Sequence, residues 1–201
     1  MIAIVDYGMG NLRSVEKALA FLGHEAGVCH DPRSIAAASG IVLPGVGSFG
    51  DAARELEDRG LVAPLREAIE AGKPFLGICL GYQLLFACSE ESPGVPGLGI
   101  LPGRVARFPS EVKVPHMGWN DVRLVRPHPL LEGVEDGSFF YFVHSYYVLP
   151  SQAGLAITLT HYGCEFASGV AWKNLAAFQF HPEKSSASGL RILDNFGRMC
   201  S

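Results

Sequence analysis

Four short apolar runs, separated by stretches with helical spacing, dominate the first half of the chain and leave few architectures open. Residues 2–5 (IAIV) are apolar in succession, a pattern that suits a strand covered on both faces. The runs at 26–30, 41–43 and 74–78 also read as strands. Between the first two, Leu12, Val15, Ala18, Leu19 and Leu22 recur at helical spacing. Asn11 is placed to cap that helix and Gly23 to end it. Residues 51–70 carry a charged helical pattern with a break near Gly60, and 80–87 read as a further helix. This βαβα rhythm predicts a mostly parallel sheet with helices on both faces and right-handed crossovers.

The second half changes character. Residues 92–103 are dense in glycine and proline and read as loop. Runs rich in β-branched and aromatic residues follow at 139–149, 155–160, 165–172 and 176–180, predicting antiparallel strands added to one edge or side of the sheet. Residues 186–199 read as a closing helix. At 201 residues the chain suits one domain spanning 1–201.

Composition narrows the function classes. Hydrophobic residues at 48% with 18% charged are globular values. A formal charge of −4 offers no basic footprint, so neither nucleic acid nor an anionic membrane is expected as a partner. No apolar stretch reaches the length of a bilayer span, and the opening MIAIVDYGMGN lacks the basic start of a signal peptide. The five cysteines, at 29, 79, 88, 164 and 200, form no C-x-x-C and no Cys/His group with zinc spacing. Free thiols, a cytoplasmic setting and no metal or other cofactor are therefore expected.

The sharpest local signal is Gly77-Ile78-Cys79-Leu80-Gly81-Tyr82-Gln83, a G-x-C-x-G between a predicted strand and a predicted helix. That is the setting of a nucleophile elbow, where small residues relieve a sharp turn at the carboxyl edge of the sheet. The helix start would offer free N–H groups, with that of Leu80 as an oxyanion donor. A buried packing cysteine between two glycines is the plainer alternative. A thiol nucleophile needs a base and the base an orienter. Phe180-His181-Pro182-Glu183 offers both, because residues two apart on an extended segment face the same way. By itself His-Pro is equally a surface turn. Pro44-Gly45-Val46-Gly47 also follows a strand and could supply a second oxyanion N–H, or be only a turn. Residues 6–11 (DYGMGN) are not a dinucleotide fingerprint, since position 13 is Arg where a third glycine is needed.

With these residues in view, the chain resembles the class I (triad) glutamine amidotransferases, and within them the glutaminase subunits of imidazole glycerol phosphate synthase. The shared pieces are DYGMGN at 6–11, PGVG at 44–47, GICLGYQ at 77–83, PHMGWN at 115–120, YFVHSYY at 141–147 and FHPEKS at 180–185. The resemblance implies a flavodoxin-like fold with Cys79 as nucleophile, His181 as base and Glu183 as orienter. It places the oxyanion at Leu80 and Gly45, Val46 and Gly47, and the amino-acid end of glutamine at Gln83, His144, Ser145 and Tyr146. It turns Asn11, Trp119 and Lys184 toward a TIM-barrel cyclase subunit, with which the chain would form a heterodimer. Tyr82 stands where the family usually has methionine; altered packing with unchanged chemistry is expected.

Other readings use the same elbow. They are the glutaminase of a synthase for pyridoxal phosphate, anthranilate or GMP, a cysteine peptidase or γ-glutamyl hydrolase, and a binding module that kept the fold. PHMGWN and the lysine after HPE argue against the first.

Overall fold

The computed structural model describes residues 1–200. The strands β1 (Ile2–Val5), β2 (Ala26–Cys29), β3 (Gly40–Leu43) and β4 (Phe75–Ile78) lie parallel in the order β2-β1-β3-β4. β1, β3 and β4 are buried at every position, as their unbroken apolar runs require. Side chains alternate between faces, and the core divides accordingly. Ile2, Ile4, Val42 and Leu76 pack with α1 (Leu12–Phe21) and with Ile192 and Phe196 of the closing helix. Val5, Ile41, Leu43 and Phe75 pack with α3 (Phe49–Asp58) and α4 (Val62–Glu70). Each large apolar side chain so buried contributes roughly 1.5–3 kcal/mol.

The antiparallel extension sits at one edge, as expected. β5 (Gly103–Arg107) belongs to a separate ribbon, whereas β6 (His116–Leu124), β7 (Ser138–His144), β9 (Ala156–Tyr162), β10 (Cys164–Trp172) and β11 (Leu175–Phe178) complete a nine-stranded sheet. β11 pairs parallel with β4 and antiparallel with β10, so direction reverses there. α6 (Ser186–Met199) closes the chain.

Several expectations need correction. The run at 139–149 divides at Ser145, and β8 (Tyr146–Pro150) leaves the main sheet to pair with β5. β5, β6 and α2 (Pro32–Ala37) were not anticipated. α2 is started by Asp31, which accepts from the N–H groups of Arg33 and Ser34, and by proline at its first turn. β6 alternates buried and exposed positions, the period of a strand with one wet face. The helix read over 80–87 stops early, as α5 (Leu80–Gln83). The carbonyls of Leu84 and Leu85 accept from Leu98, Ile100 and Leu101, so the 97–101 segment takes the acceptors that would continue the helix. Asn11 does stand at the N-cap, but its side chain accepts from the Ser14 hydroxyl and caps no N–H. No helix of the described residues is long and apolar enough to cross a membrane.

The carboxyl ends of β1, β3, β4 and β11 are neighbours on one edge. The loops at 6–11 and 44–47, Cys79 and His181 leave the sheet there.

Candidate active site

Cys79 follows β4 at φ 55° and ψ −109°, a left-handed conformation that costs a non-glycine residue on the order of 1–3 kcal/mol. The surroundings enforce it. The Cys79 N–H donates to Phe178 O at 2.8 Å, and the Cys79 carbonyl accepts from Tyr82 and Gln83. The chain doubles back so tightly that a Cβ on Gly81 would lie 1.8 Å from the Leu43 carbonyl oxygen. The Cys79 thiol is nearly buried, with weak contacts to Val143 O at 3.9 Å and Gln179 Nε2 at 3.8 Å. Tyr82 is fully buried in the α5 turn, and its hydroxyl donates to Ala167 O.

His181 follows β11, the strand beside β4. Its Nδ1 lies 2.8 Å from Glu183 Oε1, with side-chain exposures of only 2% and 1%. A carboxylate accepts, so Nδ1 carries the proton and Nε2 is left for chemistry. The pair meets by a different route from the extended segment expected. Pro182–Lys184 is a 3-10 turn; proline presets the first helical position, and the turn curls Glu183 back onto the ring. The His181 N–H donates to Tyr141 O, and the Ser185 hydroxyl donates to His181 O. Among the described residues, the buried side-chain polar atoms without a hydrogen-bond partner are His181 Nε2 and Glu183 Oε2. Burial alone would push the His181 pKa down, but the negative charges of Cys79 and Glu183 outweigh it and raise it to about 10. A buried imidazole tuned this way beside a thiol marks a site of acid–base chemistry.

A cavity of about 290 Å³ opens on Cys79, with Val46, Gly47, Gln83, Glu91 and Ser145 among its walls. Leu80, His144 and Tyr146 also line it, whereas His181 and Glu183 do not. The Tyr146 carbonyl accepts from Gln83 Nε2 at 2.9 Å and from His144 Nδ1 at 2.8 Å. Gln83 Nε2 also donates to Gln179 Oε1 at 3.0 Å. Both amide hydrogens of Gln83 are thereby used and its Oε1 remains an acceptor, the polarity that suits an ammonium group. Glu91 adds a carboxylate to the wall, one oxygen of which accepts from the Phe49 N–H.

The 44–47 loop arches over the elbow. Buried Tyr7 donates its hydroxyl to Pro44 O at 2.8 Å; burial and the nearby Cys79 charge both disfavour its ionisation. A Cβ at Gly45 would meet the Tyr7 hydroxyl at 2.3 Å, so only glycine fits. The Leu80 N–H, an expected oxyanion donor, instead donates to Gly45 O at 3.4 Å.

The residues expected to face a partner lie on the outer side. Trp119 is 52% exposed and meets Tyr141 edge-on, and the Lys184 ammonium sits 5.9 Å from the Tyr141 ring. Met117 and Phe139 extend this exposed apolar face. Asn11 heads α1, which packs against the 182–184 turn. The thiols of Cys29, Cys88, Cys164 and Cys200 are free, as is that of Cys79.

Gln179 and Glu91 lie outside every motif singled out in the sequence, whereas Tyr7 and His116 lie within DYGMGN and PHMGWN without a role assigned to them. A glutamine inside the apolar run AAFQF was the signal available for the first.

The chain matches the class-I glutamine amidotransferase family over residues 3–200. It is 56% identical to the imidazole glycerol phosphate synthase subunit HisH of Moorella thermoacetica, covering 98% of this chain and 94% of that one. The subunit of the same name from Aquifex aeolicus is 52% identical over 97% of this chain and 95% of that one. Among solved structures, a glutamine amidotransferase crystal structure superposes with a TM-score of 0.79 at 20% identity, covering 100% of this chain and 99% of that one. PurLQS from Thermotoga maritima superposes at 0.77 and 20% identity, covering 97% and 96%. These two share the fold.

Proposed function

Because the chain belongs to the class-I glutamine amidotransferase family, we propose that it is the glutaminase subunit of an imidazole glycerol phosphate synthase, acting as one amidotransferase domain over 1–201. It hydrolyses glutamine to glutamate and ammonia, and the ammonia serves histidine biosynthesis. The observation that carries the reading is the strained Cys79 elbow beside a buried His181–Glu183 pair.

His181 Nε2 takes the Cys79 thiol proton, and Sγ attacks the side-chain amide carbon of glutamine. The negative charge of the tetrahedral intermediate falls on the amide oxygen, and His181 Nε2 delivers a proton to the departing nitrogen. The C–N bond breaks, ammonia leaves and a γ-glutamyl thioester remains. His181 Nε2 then takes a proton from water, whose oxygen attacks the thioester carbon; the C–S bond breaks, the proton returns to Sγ and glutamate is released. Glu183 holds the ring in the tautomer that presents Nε2 and stabilises the imidazolium.

Ammonia made without an acceptor is wasted. The likeness to subunits of imidazole glycerol phosphate synthase supports an acceptor site on a TIM-barrel cyclase subunit in a heterodimer. That subunit receives ammonia through a protected channel and forms imidazole glycerol phosphate with an aminoimidazole carboxamide ribotide. The exposed face of Trp119, Tyr141 and Lys184 supports docking on that side, and a cytoplasmic setting fits the free thiols. The Leu80–Gly45 hydrogen bond supports gating. The oxyanion cannot use the Leu80 N–H while Gly45 O holds it, and turning the Gly45–Val46 peptide would exchange that carbonyl for the Val46 N–H. Docking would favour the turned state. Glutaminase rates measured with and without the cyclase test this: a rate that rises on mixing is expected, and equal rates sink the gating idea.

A further inference from the structure

A chain of hydrogen bonds runs from β6 to the glutamine pocket through two buried histidines, and its direction is fixed at both ends. At the outer end, the Asn120 amide is oriented by its own partners. Its Oδ1 accepts from the Asp121 N–H at 2.9 Å and its Nδ2 donates to His161 O at 3.0 Å. The second Nδ2 hydrogen faces His116 Nε2 at 3.2 Å, so that nitrogen must accept. His116 Nδ1 then carries the proton and donates to His144 Nε2 at 2.9 Å. At the inner end, His144 Nδ1 faces the Tyr146 carbonyl at 2.8 Å. A carbonyl only accepts, so His144 is protonated on Nδ1 and accepts on Nε2. Every link agrees with its neighbours in a single arrangement of protons.

We propose, resting on the glutaminase reading, that His116 and Asn120 are positioning residues for glutamine: they lock His144 in its Nδ1–H tautomer, thereby fix the Tyr146 carbonyl, and through it aim the Gln83 Oε1 that meets the substrate's amino-acid end. The alternative tautomer of His144 would set a lone pair against the Tyr146 oxygen and release it. Gln83 would lose one of the two acceptors that aim its Oε1.

The surroundings hold both rings neutral. His116 stacks between Tyr162 and Phe142 at centroid distances of 4.1 and 4.8 Å, and His144 packs against Phe108 and Phe166. Burial pushes the His116 pKa down to about 4 and that of His144 to about 3. The strand that carries His116 and Asn120 on its inner side presents Met117 and Trp119 to solvent.

Two substitutions at His116 separate relay from packing. His116→Phe keeps the stacked ring and removes the donor; His116→Asn puts an N–H near the Nδ1 position and gives up the stacking. In steady-state glutaminase assays with the cyclase present, the relay predicts that His116→Phe raises KM for glutamine about tenfold, the loss of an oriented hydrogen bond toward a charged group. It predicts kcat within about threefold and a KM near the wild-type value for His116→Asn, with a lower denaturant midpoint. A wild-type KM in His116→Phe, with His116→Asn the impaired variant, overturns the proposal. Asn120→Ala, at a half-buried position, repeats the test should His116→Phe fail to fold, with a raised KM expected and an unchanged KM overturning it. Nitrogen NMR of the wild-type imidazoles reads the tautomers independently: Nδ1–H on both rings is expected, and Nε2–H on either contradicts the relay. A wild-type protein without glutaminase activity would overturn the underlying reading instead, and the tautomers would still decide the relay.

Discussion

Glu183 touches only one nitrogen of His181, yet it sets the ring's tautomer and, after Cys79, helps to hold its charge. Glu183→Gln keeps an oxygen that can accept from Nδ1–H but removes the negative charge. With that charge gone, the folded pKa of His181 falls from its raised position near 10. The alkaline limb of the kcat/KM profile should move to lower pH, and kcat should drop about 10²-fold, the lower range for a general acid–base contribution. An unmoved profile would show that Glu183 has no part in tuning the ring. The sequence exposes Cys79, His181 and Glu183 because each lies in a compact motif. It hides the pairings of Gln179 with Gln83 and of His116 with His144, which lie 96 and 28 residues apart along the chain and leave no local pattern. Tyr82 was expected to alter packing alone, and its hydroxyl has found an acceptor on β10.

The elbow is decided among elements, by how closely α5 approaches β3. A methyl group at Gly81 would overlap the Leu43 carbonyl, and that backbone group cannot swing aside as the end of a side chain could. Gly81→Ala should therefore lower stability by on the order of 3 kcal/mol, read as a drop in the urea midpoint. A midpoint equal to wild type would mean that the turn can open without cost. The parallel half of the sheet was legible because buried strands write unbroken apolar runs and α1 writes a 3.6-residue period. β6 was not, because its half-wet alternation passes through Gly118 and polar residues that read as a motif. The early end of α5 was equally hidden, since its cause is the 97–101 segment taking the carbonyls of Leu84 and Leu85.

For the whole molecule, the histidines make stability depend on pH in opposite senses. His116 and His144 have folded pKa values depressed to about 4 and about 3. Between about pH 6.5 and those values the unfolded chain binds protons that the folded one refuses. Stability therefore falls on acidification through this window, by up to about 1.4 kcal/mol per pH unit for each ring. His181, raised to about 10, contributes stability below about pH 6.5 that is lost as pH rises toward 10. Denaturant midpoints across pH should peak near neutrality and decline toward pH 5, with a shallower acid slope in His116→Phe. A flat acid limb would contradict burial of the neutral pair.

One α/β unit thus brings a strained cysteine, a buried histidine–carboxylate pair and an acceptor-lined pocket to neighbouring strand ends, and the central claim is that Cys79 releases ammonia from glutamine. Ammonia and glutamate formed from glutamine by wild type and by Cys79→Ala, each with the cyclase present, test it most directly. Equal amounts of both products are expected from the wild type, and only background from a folded, cyclase-binding Cys79→Ala. Sustained ammonia release by Cys79→Ala would contradict it.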